Sequence, residues 1–206
     1  MAKKKPRKNT LSAKAALEKL KAGNQRFLGH DPVNYPTEKE RKPFNDGQAP
    51  YAIILSCADS RVSPELMFNA GLDELFVIRV AGNIATTEAI ASIEYAVAHL
   101  NTNLIVVAGH EACGAVGAAL ANDKQTTDLG YNLNTLVSHI TPAISAASKK
   151  KAYKNDAMTA TIKENAKLNA QELRTRSSII AKARGVEIVS AYYHLIKGKV
   201  EFSKFI

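Results

Sequence analysis

The chain has no tryptophan, only two cysteines among its 206 residues, and no apolar run near the roughly 20 residues that span a bilayer. No transmembrane segment is therefore expected. The basic start, MAKKKPRKN, is not followed by the apolar stretch of a secretory signal, so a cytoplasmic location is expected. Two cysteines are too few for a disulfide framework. In a cytosolic chain of this size, Cys57 and Cys113 read better as ligands or reactive thiols than as a disulfide pair. Internal repeats are absent, and so is low complexity beyond the basic start.

What is present suits one ordinary domain: 46% of residues are hydrophobic, enough at this length for a substantial core. The net charge of +9 invites a nucleic-acid reading. Lys3, Lys4, Lys5, Arg7 and Lys8 supply +5 of it, leaving +4 on the rest of the chain. Residues 1–10 therefore read as a basic, disordered, solvated tail, and nucleic acid is not the expected partner. Residues 11–206 read as a single domain.

Ala13, Leu17, Leu20, Phe27 and Leu28 recur at near-helical spacing, with Gly23 as a weak point. Residues 29–50 hold four prolines and read as an irregular connection. The pattern then alternates. Strands are predicted at 51–56, 74–80 and 104–110, and helices at 63–71, 86–101 and 112–122. Ser63 and Thr86 or Thr87 are the expected caps, with Pro64 at a first helical position. Residues 131–184 read as helical with an interruption near Pro142, and 186–202 as a strand, a turn and a short last strand. The fold class expected is α/β: a mostly parallel central sheet covered by helices on both faces, an antiparallel last strand and an N-terminal helical arm.

In such a sheet, reactive groups gather at the carboxyl ends of strands. Cys57 follows the first strand, His110 ends the third, and Cys113 follows three residues later. Two thiolates and an imidazole form a soft three-ligand set that suits zinc and leaves one tetrahedral position open. The rival reading is a nucleophilic Cys57 with His110 as base and Arg61 stabilising the thiolate. Asp59 could take the fourth metal position itself, or be held off it by a bidentate pair with Arg61.

The segments CADSRV, FVIRVAGN, SIEYAV, GHEACGAV and AYYHLIKGKVEF closely resemble the beta-class carbonic anhydrases, over residues 17 to 202. The resemblance implies one zinc ion per chain on Cys57, His110 and Cys113, with Asp59 and Arg61 as the catalytic pair. It implies a substrate pocket of Gln48, Phe76, Ala81, Tyr95 and Gly114; Ala81 stands where a larger aliphatic residue is common. One branch of the family binds bicarbonate at a regulatory site through a tryptophan three residues before the first cysteine. Ile54 stands there in this sequence, so an open, plant-like site is expected. The implied reaction is reversible hydration of carbon dioxide to bicarbonate, because zinc acidifies its bound water. That property is best known from carbonic anhydrases of a different, three-histidine class. A homodimer or a tetramer is implied, with the N-terminal helix embracing the partner. Two alternatives stay open: the same chemistry on carbonyl sulfide or carbon disulfide, and a zinc-stabilised binding module without activity.

Overall fold

A computed structural model of the chain describes residues 7–33, 35–123 and 127–206. Five strands form one sheet: β1 (Ala52–Ser56), β2 (Leu75–Arg79), β3 (Leu104–His110), β4 (Glu187–Tyr193) and β5 (Val200–Phe202). Their order is β2-β1-β3-β4-β5. The first four run parallel, and β5 is antiparallel to β4.

Side chains alternate along a strand, so the apolar runs can feed two cores at once. From β1, Ile54 joins Val106 and Val189 on one face, under α1 (Ala13–Leu28) and α3 (Pro64–Met67). Ile53 and Leu55 join Ile105, Val107 and Ile188 on the other. That second face is covered by α4 (Thr87–Leu100), α8 (Ala157–Arg176) and α9 (Ser178–Lys182). The remaining α-helices among the described residues are α2 (Glu38–Arg41), α5 (Gly114–Ala121), α6 (Tyr131–Ser148) and α7 (Lys151–Asn155). A third cluster, in which α5 and α6 meet α8, encloses Cys57 and Cys113. No helix among the described residues is long and apolar enough to cross a membrane.

Several local expectations are corrected. Of the expected tail, residues 1–6, including Lys3, Lys4 and Lys5, lie outside the described residues, while residues 7–10 are fastened to the domain. Arg7 pairs with Asp73 at 2.6 Å, and Asn9 is buried, its backbone N–H donating to Leu100 O at 3.1 Å. The N-terminal helix forms as expected, with its stripe of Ala13, Ala16, Leu17 and Leu20 buried in the core on the α1 face of the sheet. Gly23 marks its close approach to the end of α3: a Cβ there would lie 2.0 Å from Phe68 O.

Helix α6 runs unbroken through Pro142. An internal proline costs a helix about 3 kcal/mol. Burial of Val137 and Ile140 before it and of Ala143, Ile144 and Ala147 after it offsets that cost, at roughly 1.5–3 kcal/mol for each large side chain. Ser63 does not cap α3; its hydroxyl donates to Glu65 at 3.2 Å instead. Thr86 caps α4 as expected, accepting from the Ala89 N–H at 3.3 Å.

Candidate metal centre

The chain leaves β1 to form β2 on one side, then returns to form β3 on the other, and the crevice opens between β1 and β3. Such a reversal is where open α/β sheets place their ligands. Ser56 is in register with Ala108, so Cys57 emerges beside His110. Ala112, with φ of 52°, turns the chain sharply enough to bring Cys113 back as the N-cap of α5. The donor atoms of Cys57, His110 and Cys113 lie within 4.8 Å of one another, and all three residues are buried.

Three observations test whether a metal fits. The two sulfurs are 4.0 Å apart, against about 3.8 Å for two thiolates on tetrahedral zinc. His110 Nδ1 lies 2.9 Å from Glu111 O, so it carries the proton and leaves Nε2 as a lone pair. That Nε2 is buried with no hydrogen-bond partner, a loss of about 1–3 kcal/mol unless something accepts the lone pair. The thiols themselves conflict. The Cys113 thiol first, and then the Gly82 and Asp59 N–H groups, push the Cys57 thiol down. The same sulfur neighbour and burial push Cys113 up. A divalent cation removes the conflict, since both sulfurs can then be ionised. Both cysteines are free, as a ligand set requires.

Asp59 and Arg61 meet through two side-chain bonds, Nε to Oδ1 at 2.9 Å and Nη2 to Oδ2 at 2.7 Å. The Arg61 backbone N–H adds a third to Oδ1 at 2.9 Å. The guanidinium holds the Asp59 carboxyl well below the usual carboxylate range. Oδ2 also stands 3.9 Å from His110 Nε2, beside the ligand set. Arg61 ties this loop to the next by donating to Ala112 O at 3.2 Å.

The expected pocket residues divide. Ala81 precedes Gly82, whose N–H donates to Cys57 Sγ at 3.3 Å, and Gly114 follows Cys113. A Cβ at Gly114 would meet nothing within 4 Å, so the space beside it is open. Gln48, Phe76 and Tyr95 are not brought to the cysteines within this chain. Phe76 pairs with Ile53, four residues before Cys57, or about 13 Å back along the strand. Tyr95 lies against it with ring centroids 6.3 Å apart, and Gln48 is exposed on the same side of the molecule, lining one cavity with Tyr95.

Sequence reasoning missed Arg79. Its Nε donates to Cys57 O at 3.0 Å and its Nη2 to Asp59 O at 2.6 Å, fixing the loop that carries both. The signal was a cation ending an otherwise apolar strand. Gly82 was missed as well, as were Asn165 and Asn169 beneath it.

The model of the carbonic anhydrase family matches residues 52–200. A carbonic anhydrase of Mycolicibacterium smegmatis is 37% identical over 193 residues, spanning 91% of each chain. Carbonic anhydrase 2 of Mycobacterium tuberculosis is 43% identical over 132 residues, 63% of each. Among solved structures, the beta-carbonic anhydrase CcaA superposes with a TM-score of 0.71 at 25% identity, over 92% of this chain and 91% of that one.

Proposed function

Because the chain belongs to the carbonic anhydrases, in their beta class, we propose that Cys57, His110 and Cys113 hold its zinc in an open site. There it hydrates carbon dioxide reversibly to bicarbonate and a proton, with Asp59 and Arg61 as the catalytic pair. The observation that carries this reading is the Asp59–Arg61 pair, whose two side-chain bonds keep the carboxylate ionised and turned beside the ligands instead of among them.

When bound, zinc supplies the Lewis acid that makes water nucleophilic near neutral pH. The side chains do the rest. Asp59 Oδ2 accepts the proton-bearing side of the attacking water and orients its lone pair. Arg61 prevents Asp59 from turning toward the metal, and Arg79 holds the loop of both residues. The N–H of Gly114 is the donor available to a developing oxyanion.

The substrate wall of Gln48, Phe76 and Tyr95 is read as the contribution of a second copy. Strand β2 supports this. It is an edge strand whose Leu75, Phe76, Val77 and Ile78 are only half-buried, whereas β1 and β3 are buried throughout. Natural proteins cover such edges, and a homodimer over β2 would do so; tetramers would be pairs of that dimer. The cytoplasm is the proposed location.

Stopped-flow carbon dioxide hydration, combined with metal analysis, tests the reading. The wild type should carry about one zinc per chain and be active. Asp59→Asn should keep its zinc and lose about 10²–10⁴-fold in rate. Zinc without hydration would turn attention to carbonyl sulfide, carbon disulfide or a structural site.

A further inference from the structure

Asn165 and Asn169 stand one turn apart on α8 and are 1% and 5% exposed. Their neighbours on that helix, Ala166, Ala170 and Leu173, belong to the core. A buried amide is costly unless its groups are satisfied, so two at i and i+4 call for partners. Asn165 Nδ2 donates to Gly82 O at 2.7 Å. Asn169 Oδ1 accepts from the Ala85 N–H at 2.7 Å, and its Nδ2 donates to Asn165 Oδ1 at 3.1 Å and Asn165 O at 2.8 Å. Segment 82–85 is thus gripped at both ends, and the gripping amides are braced against each other.

Gly82 is the point where this grip reaches the metal centre. Its N–H donates to Cys57 Sγ while its carbonyl is held by Asn165, so the peptide groups on its two sides are both fixed. The backbone there is left-handed, with φ of 71°, and a Cβ would come within 2.8 Å of Ile140 Cδ1. Only glycine fits this fixed, close-packed turn.

We infer that Asn165, braced by Asn169, is a positioning residue for the zinc site. It aims the Gly82 N–H at Cys57 and so sets how much charge that sulfur gives the metal. The inference rests on the reading of Cys57 as a ligand. A thiolate that accepts an N–H bond donates less to its metal, and groups that orient such bonds are part of the site. Two thiolates would otherwise make this zinc a weak Lewis acid, so the bond matters to the chemistry as well as to the fold.

The test uses Asn165→Leu, which keeps the volume and loses the donor, in the cobalt-substituted and zinc-loaded protein. The sulfur-to-cobalt charge-transfer band should move to longer wavelength, and zinc affinity should fall about 10- to 100-fold. Asn169→Ala should move both in the same direction by less. A folded Asn165→Leu protein with the wild-type band and affinity would overturn the inference and leave the asparagines a packing role. Should Asn165→Leu not fold, Asn169→Ala decides by the same two readouts. A wild-type cobalt protein lacking any sulfur band would overturn the ligand assignment instead, so the two failures are distinct.

Discussion

At the carboxyl end of β1, Cys57, Asp59 and Arg61 are tied down by bonds from Gly82, Arg79 and one another. At its amino end, Gln48 is exposed and Tyr95 is 49% exposed, its ring lying near those of Phe76 and His99. The first region is organised by one chain. The second presents aromatic and amide groups with little to act on. On the proposed reading, residues that serve one reaction are prepared separately: the metal end by internal hydrogen bonds, the substrate wall by an edge that a second copy would cover. A wall supplied in this way would make activity depend on assembly while metal binding does not.

Removing a ligand should break the first region outright. Cys113→Ser should lose zinc by elemental analysis and fall to the uncatalysed rate, a loss of about 10⁶-fold or more if the enhancement is of ordinary size. Because Cys113 is also buried in the cluster around α5 and α6, thermal unfolding should show a lower midpoint.

The second region should break without touching the metal. Tyr95→Arg places a charge on the half-exposed face beside β2. Sedimentation should then report monomers that retain zinc, with hydration reduced on the order of 10²-fold, as expected when a positioning surface is lost. A Tyr95→Arg monomer with full activity would sink the shared-wall reading.

Smaller effects should sharpen the contrast by being independent of assembly. Gly23→Ala forces a Cβ against the Phe68 carbonyl and should destabilise by about 1–3 kcal/mol in denaturant titration, with zinc retained. Ala112→Gly relieves a left-handed alanine that costs about 1–2 kcal/mol. Part of that gain is offset by the looser unfolded chain, so the net should be under about 1 kcal/mol of added stability.

Much of this arrangement was legible in the sequence, because it rests on patterns of short range. The span of β3 follows from an apolar run ending at His110, and Thr86 announces α4 as a cap should. Cys57, His110 and Cys113 could be joined because a parallel sheet puts strand ends together. What stayed hidden depends on partners far along the chain. Pro142 looked like a break because the apolar contacts on either side of it cannot be seen locally. Asn9 looked like tail because its partners, Leu100 and Asn101, come some ninety residues later. Arg79, Asn165 and Asn169 act on backbone atoms of distant loops, and nothing in their own neighbourhood names those loops. The separation of Gln48, Phe76 and Tyr95 from the cysteines follows from strand register, which residue types alone do not reveal.

The alternation along β1 has a consequence for how the chain can change in length. One residue inserted between Ala52 and Ser56 would exchange Ile54 with its neighbours, turning each core's side chains toward the other. Two residues would restore the parity but carry the thiol about 7 Å further along the strand, out of reach of His110. Neither odd nor even changes are tolerated there, whereas residues 29–50 can lengthen at little cost. The five residues of β1 act as a spacer of fixed count, and the metal centre depends on that count as much as on its ligands.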